Sequence, residues 1–230
     1  AGTMAFDSVL ETAFNPRVVA MVGVSADAKR GGRPQFRGAS FIISYEQLGF
    51  KGRIYPVNPR ATEIMGLRAY PSVSSIPEPV DLVVVSVPAP ALPAVLEDCI
   101  TANAKNIHVF TAGFEETGDE EAKELGLRVR EIALRGGLNI IGPNCMGLYV
   151  PKAGIGSFQH LSKENGPVSF ISQSGGHCNR FSHYAPDYGI SFSKVISYGN
   201  AYVLDSTDYL EYQKCMSQDF MPIFATRFLI

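Results

Sequence analysis

The stretch "VVAMVGVS", residues 18–25, decides the fold. Val18 to Val22 are apolar at every position, where a strand facing water on one side would alternate. A strand buried on both faces belongs to a parallel sheet covered by helices above and below. It stops on Gly23, whose missing Cβ would let a ligand approach the backbone.

The same grammar repeats outward from that strand. "GRIYPVNP" (52–59) is a second strand, ended by Pro59; "VDLVVVSVP" (80–88) is a third, and "KNIHVFTAG" (105–113) and "LNIIGPN" (138–144) follow. Between them "FRGASFIISYEQLGF" (36–50), "ALPAVLEDCITAN" (91–103) and "DEEAKELGLRVREIALRGG" (119–137) carry helical spacing. The last opens on acids and closes on arginines before Gly136, matching the helix dipole at both ends. The expected fold class is therefore α/β. A Rossmann-like, doubly wound parallel sheet over 8–150 is followed by a linker over 151–167. A partial, flavodoxin-like α/β domain over 168–230 starts the alternation again. Its strands are too few for a parallel sheet, and the apolar "FMPIFATRFLI" (220–230) is expected to add a strand in place or to pair with a second copy.

Right-handed crossovers bring every strand's carboxyl end to one edge of the first sheet. "GVSADAKRGGR", "PVNPR", "SVPAP", "TAGFEETG" and "GPNCMG" all lie there, and that is the edge at which such folds bind ligands. The dinucleotide fingerprint G-x-G-x-x-G is absent: position 25 is Ser25, and the next glycines are Gly31 and Gly32. The second strand ends in Val57-Asn58-Pro59-Arg60, with no acid for an adenosine ribose 2′-hydroxyl. Arg60 suits a ribose phosphate, which favours coenzyme A or NADP over NAD. In the second unit "ISQSGGHC" (171–178) passes from strand through small residues into a helix N-terminus, a place for an anion.

Composition narrows the classes. The chain has 230 residues, 46% hydrophobic and 18% charged, with a net charge of −2 and no basic run, so nucleic acid is not an expected partner. Cys99, Cys145, Cys178 and Cys215 form no C-x-x-C pair, against a zinc site or a disulfide framework and for a reducing cytoplasm. No metal site is expected. No apolar run approaches the roughly 18 residues of a membrane span, and the N-terminus lacks the pattern of a signal peptide.

"VAMVGVSADAKRGG", "GRIYPVNPRATEIMGLRAYPSVSSIPEPVDLVVVSVPA", "FTAGFEETG", "IIGPNCMGLYVP" and "GPVSFISQSGG…ISYGN", in that order, resemble the NDP-forming acyl-CoA synthetases and the succinyl-CoA synthetase alpha subunit. The resemblance covers roughly 8–212, while the tail 213–230 matches nothing in it. It implies a nucleotide-binding ligase that joins an acid to CoA through an acyl phosphate and a phosphohistidine. By position it assigns Gly23, Val24, Ser25, Lys29, Arg30 and Gly31 to the CoA phosphates, and Val57, Asn58, Pro59 and Arg60 to the adenosine phosphate end. Ser86, Val87, Pro88, Thr111, Ala112 and Gly113 would line the pantetheine path, with Asn144 and Cys145 near the thiol. Ser172, Ser174, Gly175 and Gly176 would hold phosphate.

The same resemblance places the phosphohistidine beyond the matched region, so no catalytic residue is assigned. His177 and His183 are read as surface or packing residues on the helix after the turn. ATP or ADP with Mg would come through an ATP-grasp domain or a beta-type subunit. A homodimer through the second domain or tail is the other partner expected. Two further readings stand beside this one: a non-catalytic CoA-binding regulatory protein, and an NADP-linked oxidoreductase.

Overall fold

The computed structural model describes residues 9–28, 38–216 and 223–226. In chain order the first elements are α1 (residues 9–14), β1 (Val18–Val22), α2 (Ala39–Leu48), β2 (Arg53–Val57), β3 (Glu63–Ile64) and β4 (Leu67–Arg68). Next come β5 (Leu82–Val85), α3 (Leu92–Thr101), β6 (Asn106–Val109), α4 (Glu120–Gly136) and β7 (Asn139–Ile141). The second part holds β8 (Gly147–Tyr149), β9 (Asn165–Ser172), α5 (Gly175–Tyr184), β10 (Phe192–Ser197), α6 (Ser206–Met216) and β11 (Ile223–Thr226).

The first sheet has the order β2-β1-β5-β6-β7, and every pair in it is parallel. The chain moves outward in both directions from β1 and β5, so the strand order reverses between them. Side chains along β1 alternate between two cores: Val19 and Met21 face Phe41, Ile42 and Tyr45 of α2. Val18, Ala20 and Val22 face the cluster of α3 and α4, with Leu92, Leu96, Val129 and Ile132. Both faces are covered, which is why β1 carries no polar residue.

Helix α4 has the clearest ends. The Asp119 carboxylate accepts a hydrogen bond from the Glu121 N–H at 3.0 Å, and Gly137 closes the other end at φ 58°. An aspartate at the first position and a left-handed glycine at the last are the favoured caps.

The second sheet has the order β11-β9-β10-β8, with β8 antiparallel to β10 and the other pairs parallel. β8 precedes the linker read from the sequence, yet it completes this sheet. β11 lies beside β9, within the chain, so the apolar tail adds a strand in place. Helices α5 and α6 cover opposite faces, as right-handed crossovers to β10 and back to β11 require. Helix α6 is also the filler between the two units: Tyr209 and Tyr212 are fully buried, and the Tyr212 ring stacks on Phe14 with centroids 4.8 Å apart. The core of the first sheet thus runs without a break into the inner face of the second.

Candidate functional site

At the strand reversal of the first sheet, β1 and β5 end side by side. Gly23 has φ 96°, and a Cβ there would lie 2.1 Å from the Ser86 carbonyl oxygen. Only glycine lets the two edge loops cross this closely. Asn58 ties the next loop in: its Nδ2 donates to the Val24 carbonyl at 3.0 Å, and its Oδ1 accepts from the Arg60 N–H at 2.9 Å. At this edge Ser25, Pro59 and Arg60 are exposed, Val24 and Val57 are buried, and Ser86 and Val87 are half-buried beside exposed Pro88. Lys29, Arg30 and Gly31 lie outside the described residues.

Along the same edge, Thr111 is buried and donates from Oγ1 to the Val87 carbonyl at 2.8 Å. Ala112 is exposed at the cleft, and the Gly113 N–H donates to Glu116 Oε1 at 2.6 Å. Asn144 sits at φ 55° directly after β7, with its N–H donating to the Thr111 carbonyl at 2.8 Å. Cys145 turns inward, its thiol facing the Ile141 and Val109 carbonyls at 3.5 and 3.7 Å. Burial pushes that thiol above its ordinary range, which disfavours a thiolate at this position.

The turn at the second sheet forms as its sequence requires. Ser172 Oγ accepts from the Ser174 N–H at 3.2 Å, and Ser174 Oγ accepts from the His177 N–H at 3.3 Å, capping α5. Gly175 is packed so closely that a Cβ would stand 3.0 Å from the Met146 nitrogen. The start of α5 therefore presents bare backbone to the cleft, with the positive end of its dipole. His177 lies on the exposed first turn, and both ring nitrogens of His183 face carbonyls, of Asn179 at 2.8 Å and Gln159 at 3.0 Å.

The two edges meet. Gly199, at φ 55°, comes so near the first unit that a Cβ would lie 2.0 Å from the Pro143 carbonyl oxygen. The Asn200 N–H donates to that carbonyl at 3.0 Å, and the Tyr202 N–H to the Gly142 carbonyl at 3.1 Å. Asn144 Nδ2 donates to Asn200 Oδ1 at 3.3 Å, and Asn200 Nδ2 to Glu116 Oε2 at 2.8 Å. Tyr202 OH is hydrogen-bonded to Glu115. Desolvation opposes the charge on Glu116, but the Gly113 N–H and the Asn200 amide hold its carboxyl below the usual range.

Between the edges a cavity of about 310 Å³ is lined by Glu116, Asn144, Gln173, Ser174, Gly175, Gly199 and Asn200. The structure thus brings Asn144, Ser174 and Gly175 together, as their positions at strand ends implied. Glu116, Gln173, Gly199 and Asn200 escaped the sequence reading. Glu116 stood in the edge loop "TAGFEETG", and Gly199 and Asn200 ended the run "SFSKVISYGN", but no spacing showed that these loops touch. Among the described residues no group of three or more His, Cys, Asp or Glu is placed to hold a metal, and no helix is long and apolar enough to cross a membrane.

Residues 17–151 match the CoA binding domain family, and residues 165–218 the succinyl-CoA ligase-like flavodoxin domain. The ADP-forming acetate–CoA ligase I of Archaeoglobus fulgidus is 38% identical over 88% of this chain and 28% of its own length. The ADP-forming acetate–CoA ligase II alpha subunit of Pyrococcus furiosus is 38% identical over 92% of this chain and 44% of its own. Among solved structures, the dinucleotide-forming acetyl-coenzyme A synthetase 1 of Ca. Korarchaeum cryptofilum, in its apo form, superposes with a TM-score of 0.83 at 34% identity. That match covers 94% of this chain and 45% of the other, so the chain spans under half the length of these relatives.

Proposed function

The chain belongs to the CoA-binding family whose domain, joined to a succinyl-CoA ligase-like flavodoxin domain, forms the alpha portion of NDP-forming acyl-CoA synthetases, and on that premise we propose that it binds CoA for such an enzyme. The observation that carries the reading is the reversal of strand order between β1 and β5, the point at which such sheets take ligands, with the loops of Gly23 and Ser86 packed together there. The residues present fit CoA. Arg60, exposed after β2, would meet the 3′-phosphate, and the backbone from Gly23 to Ser25 would face the pyrophosphate. The loops Ser86–Pro88 and Thr111–Gly113 would guide pantetheine inward to Asn144, with Cys145 as packing beneath it. Bound there, CoA would supply the thiol that an activated acid acylates.

At the inner end, the N–H groups that open α5 would hold phosphate, with Ser172 and Ser174 fixing the turn. Such a dipole favours a partly buried anion by up to about 2 kcal/mol. Glu116, Asn144 and Asn200 would fix the distance between the two sites by tying their loops together. In this reading a histidine from outside these residues carries the phosphate, and an ATP-grasp domain or beta-type partner supplies nucleotide, so the chain alone should not turn over.

Mixing it with an ATP-grasp partner of this family and a panel of acids should give CoA-dependent ADP release, absent from either protein alone. Release by neither protein nor mixture, with CoA bound, would favour the non-catalytic, regulatory reading instead. The missing G-x-G-x-x-G weighs against an NADP-linked oxidoreductase. The pairing of β11 beside β9 gives less support to a homodimer through the tail.

A further inference from the structure

A groove of about 570 Å³ lies between α5 and β9 and shares no residue with the cavity at the sheet edges. Val168 and Phe170 of β9, Phe181 and Tyr184 of α5, and Ile190 from the loop before β10 line it, together with Arg180. Tyr184 is 65% exposed, and Tyr188, one turn further on, is 83% exposed. Exposed apolar surface gathered in one place marks an interaction surface.

The charges beside the groove indicate its occupant. Helix α5 runs on through the 3-10 turn Ala185–Tyr188, so residues 175 to 188 form one rod. Arg180, Tyr184 and Asp187 stand four and three positions apart and so share one stripe of it. All three are exposed, and neither Arg180 nor Asp187 has an ion pair among the described residues. A stripe with a cation at one end, a tyrosine in the middle and an anion at the other is complementary to its own reversed copy.

We propose that α5 pairs antiparallel with α5 of a second copy of this chain, about a two-fold axis near Tyr184. The axis sets Arg180 of each copy against Asp187 of the other, brings the two Tyr184 rings together and covers both grooves. In such an isologous contact each pair occurs twice, so one complementary stripe supplies both halves of the interface. The antiparallel arrangement points the Ser174 ends of the two helices away from each other, which leaves both edge cavities open. The inference goes beyond the CoA reading and does not rest on it. It places the homodimer expected from the sequence on α5 and not on the tail.

Sedimentation equilibrium of the full chain over a range of concentrations should show a monomer–dimer equilibrium. Arg180→Asp and Asp187→Arg should each weaken the dimer at least tenfold, because each sets like charges together twice across the axis. The variant carrying both exchanges should return to within threefold of the wild type, a rescue that general damage to the fold would not give. A chain monomeric at every concentration would overturn the proposal, and the groove would then have another occupant. A dimer that neither charge exchange weakens, or a doubly exchanged variant that stays monomeric, would overturn it too. The wild-type series and the doubly exchanged variant decide the matter even if a single variant fails to fold.

Discussion

At residue 108 a histidine sits where charge is not welcome. His108, on β6, is fully enclosed; Phe41 packs edge-on against its ring at 5.6 Å, and a Cβ on Gly147 would lie 2.1 Å from its Nε2. Desolvation lowers its pKa from 6.5 to about 4, against a smaller opposing effect of the hydrogen bond to the Cys145 backbone. The unfolded chain binds this proton below pH 6.5 while the folded chain does not until about pH 4, so the group's contribution is complete above 6.5 and declines as pH falls between the two. At 1.36 kcal/mol per unit the full loss is about 3 kcal/mol. Urea unfolding at pH 6.5 and 5 should show the decline, and His108→Gln should flatten it; an unchanged slope would refute the assignment. A sequence cannot show this: "NIHV" reads as a strand, but not that Gly147 from the second sheet packs onto its histidine.

Elements were legible where one local cause dictates them. β1 and β5 are apolar at every position because both faces are covered, and α4 declares its ends through Asp119 and Gly137. β8 was not, because three residues of "GLY" carry no period, and the strand exists only through pairing with β10. The turn into α5 lies between these cases: its small residues announced a corner, and the structure adds how Ser172 supports Ser174 and Ser174 caps the helix. Ser174→Ala removes the cap acceptor and should cost about 1 kcal/mol, read as a lower thermal midpoint. A midpoint unchanged within error would mean that the cap is not what holds this helix start.

Over the whole molecule, what the sequence concealed is the contact between the units. Two sheets were readable from apolar runs, and the shared carboxyl edge from small residues at the strand ends. That Asn200 bonds Glu116 and Asn144, or that α6 fills the space between the sheets, depends on residues more than fifty positions apart. Those contacts bring the edge loops after β6 and β7 against the opening of α5, around one cavity.

The central claim is that the carboxyl edge of the first sheet takes CoA, with the 3′-phosphate at Arg60. Calorimetric titration with CoA, 3′-dephospho-CoA and NADPH tests it most directly. The account predicts saturable CoA binding at one site per chain, weakened at least tenfold without the 3′-phosphate, and no heat from NADPH. Equal affinity for CoA and 3′-dephospho-CoA would remove the role given to Arg60, and no CoA binding at all would contradict the account.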